Sequence, residues 1–106
     1  MTPPNASLAI PPAISIDTDW VEVPPAVVAR PVDGLTVLLN AATGRYFSLD
    51  AVGTRAWSLM VSMSSLHKVQ DILLEEFQVA PEHLRSDLSG LVESLEARGL
   101  LKVHRG

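Results

Sequence analysis

The sequence predicts an α+β domain in which a three-stranded antiparallel sheet is followed by three helices. Three observations predict it. Two runs, at 35–40 and 46–49, have the two-residue period of half-buried strands, Leu35, Val37 and Leu39 alternating with Thr36, Leu38 and Asn40, and Phe47 and Leu49 with Tyr46 and Ser48. Asp50 follows the second run directly, placed to cap a helix through the amide of Val52 or Gly53. Leu84, Leu88, Leu91 and Leu95 then recur at helical spacing and form one narrow stripe, with Val92 at its flank.

At the amino end, Pro3, Pro4, Pro11 and Pro12 force extended backbone and remove amide donors. Residues 1–13 are therefore expected to be a flexible proline-rich tail and residues 14–106 the folded domain. Ile14-Ser15-Ile16-Asp17 alternates and fits either a short strand or a segment lying along the domain, with Trp20 as an anchor. The run Val27–Val32 and the turn signal Asp33-Gly34 add a strand before 35–40, giving a meander. Pro31 cannot donate into a ladder, so this strand belongs at an edge or turns that position outward.

Between the second and third strands, Asn40 can start a turn with its side-chain carbonyl and Gly44 can close it in the left-handed conformation. The first helix runs through Ala56, Trp57 and Met60, and Met63-Ser64-Ser65 interrupts it, offering a hydroxyl cap to a second helix over Leu66–Phe77. Leu66, Val69, Leu73 and Phe77 share one stripe of that helix, with charged residues elsewhere. Pro81 suits the first position of the third helix and Glu82 its positive end, although Ala80 is a poor cap. Gly99 ends it, and Leu100–Val103 is expected to pack back as a short extended tail.

Composition excludes several function classes. The chain has 106 residues, 47% of them hydrophobic and 19% charged, enough for one small core. It has no Cys, so disulfides, thiolate nucleophiles and Cys-ligated zinc are ruled out. A formal net charge of −4 gives no general attraction to nucleic acid or anionic lipid. No signal peptide or membrane-length apolar run is present, and a cytoplasmic location is expected. His67, His83 and His104 do not stand at metal-ligand spacing, and Glu75, Glu76 and Glu82 read as solvated helix faces. Ser64 and Ser65 are better caps than nucleophiles, and the glycines form no phosphate-cradling loop. No catalytic residue, metal or cofactor is expected, and the chain is read as a non-enzyme.

The run LLNAATGRYFSLDAVGTRAW, residues 38–57, followed by two helices and Gly99-Leu100-Leu101, resembles the PqqD-like proteins. These are RiPP recognition elements, which bind the leader peptides of ribosomally made, modified peptides. The resemblance covers roughly residues 14–103. It implies a winged-helix-like fold in which the third strand, Arg45, Tyr46, Phe47, Ser48 and Leu49, recruits an extended peptide beside a groove formed with Leu84, Asp87, Leu91 and Ser94 of the third helix. Asp87 matches an acidic position of the family and either bonds the peptide or pairs with Arg85, Arg45 or solvent. Phe47 is expected in the core. Tyr46, on the opposite face, is either a surface aromatic or part of the binding edge.

The implied partners are a precursor leader peptide and a maturation enzyme, whether leader peptidase, cyclase or radical maturase, with no nucleic acid and no membrane. The amino-terminal extension favours lasso-type relatives. Two rival readings are a small winged-helix DNA-binding regulator and a homodimerisation module using the same strand edge. Glu82, Asp87, Glu93 and Glu96 on the third helix oppose the first of these.

Overall fold

A computed structural model describes residues 14–106, and the tail expected over 1–13 lies outside them. In chain order the elements are β1 (Trp20–Glu22), β2 (Val27–Val32), β3 (Leu35–Asn40), β4 (Tyr46–Leu49), α1 (Ala51–Met63), α2 (Leu66–Glu76), α3 (Pro81–Ala97) and β5 (Lys102–His104). The fold is α+β as expected: β2, β3 and β4 form an antiparallel meander with β3 in the centre. The three helices cover one face of it. Leu38, Leu66, Val69, Val92, Leu95 and Leu100 are completely buried in one shared core.

Each junction follows from a local signal. Asp33 and Gly34 both take positive φ, 52° and 81°, the geometry of a two-residue hairpin whose twist matches its strands. Asn40 Oδ1 accepts from the amide of Ala42 at 2.9 Å and so holds the next turn. Asp50 Oδ1 caps α1 through the Gly53 amide at 2.8 Å. Ser65 caps α2 through Lys68 N, and Pro81 opens α3 without a side-chain cap at Ala80. The Arg55 guanidinium grips Glu76 in a bidentate pair, Nε to Oε1 at 2.8 Å and Nη2 to Oε2 at 2.6 Å, tying α1 to the end of α2.

The terminal segments differ from simple extended packing. Ile14 and Ile16 are buried, but Ser15 starts a turn whose carbonyl accepts from Asp19 N at 2.9 Å, so the Ile14–Asp17 alternation lies along the domain without becoming a strand. Leu100 and Leu101 are buried, and the residues after them form β5, which pairs antiparallel with β1 in a second, two-stranded sheet. Trp20 stacks on His104 with ring centroids 3.9 Å apart, and His104 Nε2 lies 2.8 Å from Glu22 Oε1. The amino-terminal segment and the carboxyl terminus are thereby clamped together.

Candidate functional site

The sheet has two edges, and they are chemically different. Asn40 donates its amide to the Arg45 carbonyl at 2.8 Å, and the β3–β4 register pairs Leu38 with Phe47 and Thr36 with Leu49. Hydrogen-bonded pairs alternate along an antiparallel ladder, so Phe47 and Leu49 turn their amide and carbonyl toward β3. Tyr46 and Ser48 turn theirs to the open side. At the other edge, Ala41 donates to the Ala26 carbonyl at 2.9 Å, which directs the odd-numbered residues of β3 to β2. Pro31 faces Thr36, a residue that bonds β4, so the missing amide of Pro31 lies on the outer edge of β2. The β2 edge is blunted at that point, while β4 keeps its donors and acceptors.

Beside the open edge lies a groove of about 610 Å³. One wall is β4, with Phe47, Ser48 and Leu49; the other is α3, with Leu84, Asp87, Leu88, Gly90 and Leu91. Asp50 at the cap of α1, Ala56 of α1, Leu73 of α2, and Phe77 and Val79 of the α2–α3 connection also line it, and the surface is mostly apolar. Gly90 leaves the helix surface flat, since a Cβ built there meets nothing within 4 Å.

Of the residues singled out from sequence, Phe47, Ser48, Leu49, Leu84, Asp87 and Leu91 come together on this groove. Arg45 and Tyr46 lie at its end, in a shallower recess shared with Gly44, Ala97 and Arg98. Ser94 is half-buried and is not among the lining residues; its carbonyl accepts from Arg98 Nη1 at 3.2 Å. Tyr46 is 68% exposed, on the face of the sheet away from the helices. Phe47 points to the helical side, only partly buried, with the Arg98 guanidinium 4.9 Å above its ring centroid.

The structure also resolves what surrounds Asp87. Arg85 is engaged elsewhere, its Nη1 donating to Gln70 Oε1 at 2.8 Å and to Asp17 Oδ1 at 3.2 Å, and this hydrogen bond holds the Asp17 carboxyl below its ordinary value. Arg45 Nη1 donates to the Ala97 carbonyl at 3.4 Å. Among the described residues Asp87 has no ion-pair partner, and it is exposed at the rim of the groove.

Sequence reasoning missed Phe77 and Val79 as groove residues, and Arg98 as a residue of the adjoining recess. Phe77 continues the apolar stripe of α2 and so reads as core, and the other two carry no periodic signal because they lie in a connection and just beyond a helix. Among the described residues, no group of three or more His, Asp or Glu side chains is placed to hold a metal. No helix among them is long and apolar enough to cross a membrane.

Comparison with known proteins identifies the family and the fold. The family model for coenzyme PQQ synthesis protein D (PqqD) matches residues 36–101, which span the sheet's central strand through the end of α3. The chain belongs to the PqqD family. Among solved structures, this PqqD-family chain is similar to TbiB1, determined in complex with the TbiA(beta) leader peptide, with 34% identity over 76% of this chain and 94% of that one and a TM-score of 0.72. It shares the fold of a lasso peptide synthetase B1 complexed with its leader peptide, with 23% identity over 78% of this chain and 98% of that one and a TM-score of 0.71. None of the curated proteins matches the chain significantly.

Proposed function

We propose that this PqqD-family chain is a leader-binding module of lasso-type peptide biosynthesis, which holds the leader of a ribosomally made precursor as an added strand on β4 and presents it to a maturation enzyme. The observation that carries this reading is the free edge of β4, where the backbone groups of Tyr46 and Ser48 face outward beside an apolar groove. Main-chain hydrogen bonds to that edge supply affinity, and alternate side chains of the peptide enter the groove between β4 and α3. Every pairing within the sheet is antiparallel, and antiparallel pairing is the slightly stronger mode, so the leader runs antiparallel to β4. The relative with 34% identity was solved with a leader peptide bound, which supports the same ligand class here.

In this reading the chain performs no bond-making step. Arg45, Tyr46, Phe47, Ser48 and Leu49 form one side of the site, and Leu84, Asp87 and Leu91 the other; Ser94 stands behind α3's contact with Arg98 and serves the site indirectly. The partner enzyme is a leader peptidase or cyclase acting on the held precursor in the cytoplasm. Hydrogen exchange in the presence of a lasso-type precursor leader peptide is the direct test. Added leader should slow exchange of the Tyr46 and Ser48 amides while leaving the already bonded Phe47 and Leu49 amides little changed. Protection confined to other elements would sink the strand-addition mode.

A further inference from the structure

The groove is electrically polarised along its length. At the end where β4 begins, Arg45 and Arg98 line one recess together. At the other end, where β4 leads into α1, Asp87 and Asp50 line the groove. The opposed direction of α3 and β4 produces this arrangement, because Arg45 reaches Ala97 at the end of the helix while Asp87 belongs to its first half.

The two arginines have unused capacity. Arg55, Arg85 and Arg105 each pair with a carboxylate, whereas among the described residues neither Arg45 nor Arg98 does. Both bond backbone carbonyls in the last turn of α3, a favourable site for cations, but each uses Nη1 alone, at 3.4 Å to Ala97 and 3.2 Å to Ser94. A guanidinium carries five N–H donors, so most of each fork remains open to a ligand. Phe47 beneath Arg98 holds that side chain over the groove mouth. Among the described residues Asp87 likewise has no cation paired with it.

We infer that this groove selects the charge order of the peptide it binds, favouring a segment with an acidic side chain at its carboxyl end, against Arg45 and Arg98, and a basic one at its amino end, against Asp87. The inference rests on the strand-addition reading, since only an extended segment running antiparallel to β4 spans both ends in that order. The apolar floor supplies general affinity for such a segment, and the two charged ends fix its direction and register. A segment of opposite charge order meets like charge at both ends, which costs affinity without altering any apolar contact.

The test is selection from a display library of randomised short peptides on the full chain. Selected sequences should carry Asp or Glu after their apolar core and Lys or Arg before it. Replacing the selected acidic residue by Gln should weaken binding about two- to fivefold, the range of a partly exposed ion pair. The double variant Arg45→Glu, Arg98→Glu should turn the preference after the core to Lys or Arg, and Asp87→Lys should turn the preference before it to acidic. Circular dichroism melts check that each variant folds; if the double variant does not, the single changes Arg45→Gln and Arg98→Gln should each flatten the preference. Apolar peptides enriched with no charge order, with the reverse order, or with an order that survives these changes would overturn the inference and leave strand addition standing. Failure to enrich any extended apolar peptide would overturn both.

Discussion

Asn40 Nδ2 donates to the Gly99 carbonyl at 2.8 Å, joining two residues 59 positions apart in the chain. This one bond fastens the β3–β4 hairpin to the end of α3, and these are the two walls of the groove. The same side chain accepts from the amides of Ala42 at 2.9 Å and Thr43 at 3.3 Å, and it is buried. Asn40→Ala should therefore cost about 1–3 kcal/mol, because partners on both sides are left unsatisfied. Asn40→Asp keeps the turn acceptor but loses the donor, so it should weaken leader binding as well as stability. Urea denaturation paired with leader titration measures both; a variant with unchanged stability would show that the Gly99 bond contributes nothing.

The Arg55–Glu76 pair gives stability a definite pH dependence. The hydrogen bond from Arg55 holds the Glu76 carboxyl below its ordinary value. A carboxylate with a lowered folded-state pKa stabilises the fold above its unfolded pKa and loses that contribution as pH falls through the lowered one. Glu76→Gln should thus lower the melting temperature slightly at neutral pH, and the difference from the parent chain should close below about pH 4, the ordinary range of Glu. A difference that persisted unchanged into acid would mean that packing, not charge, holds the end of α2 to α1.

These junctions were legible because each is written in a few adjacent residues. Asp33-Gly34, Asn40 to Gly44, Asp50, Ser65, Pro81 and Gly99 announce turns and caps through short-range chemistry, and the boundaries of β2 to α3 follow from them. The β1–β5 sheet is different. Its strands are three residues each, too short for a period, and Trp20 meets His104 only through the closed fold. The groove was half legible: the α3 stripe contains Leu84 and Leu91, while Arg98 belongs to the recess at its end and lies over Phe47 only in the closed fold. Which residues of β4 bond outward could not be read from alternation alone, because side-chain direction and hydrogen-bond direction are independent until the register is fixed.

Gly90 should show opposite signs for stability and binding. It lies exposed within α3, where Gly is about 1 kcal/mol worse than Ala, and a Cβ there meets no neighbour. Gly90→Ala should accordingly stabilise the chain by up to about 1 kcal/mol. The added methyl projects from a residue that lines the groove, so leader affinity should fall at the same time. Thermal melts and anisotropy titrations on the same preparation decide it; a variant that binds as well as the parent would remove Gly90 from the site.

Proline scanning of β4 separates its part in the fold from its proposed part in binding. Phe47 and Leu49 bond inward to β3, and Tyr46 and Ser48 have their amides free at the edge. Each proline removes one amide donor and fixes φ near −65°. Phe47→Pro breaks a ladder bond and should destabilise the domain by about 3 kcal/mol. It also removes an aromatic ring from beneath Arg98, so Phe47→Leu serves as the control for side-chain loss. Tyr46→Pro and Ser48→Pro remove donors that face away from β3, and should leave most of the stability while abolishing leader binding. Ser48→Pro is the cleaner of the two, because Ser48 lies along the groove while Tyr46 lies in the recess at its end. Leu91→Asp approaches the same ligand from the opposite wall: Leu91 is only half-buried, so the chain should still fold, and a carboxylate there should weaken binding of an apolar side chain at least tenfold, about 1.4 kcal/mol. If Ser48→Pro folds and binds the leader with parental affinity, the peptide does not add to β4, whatever the effect at Leu91.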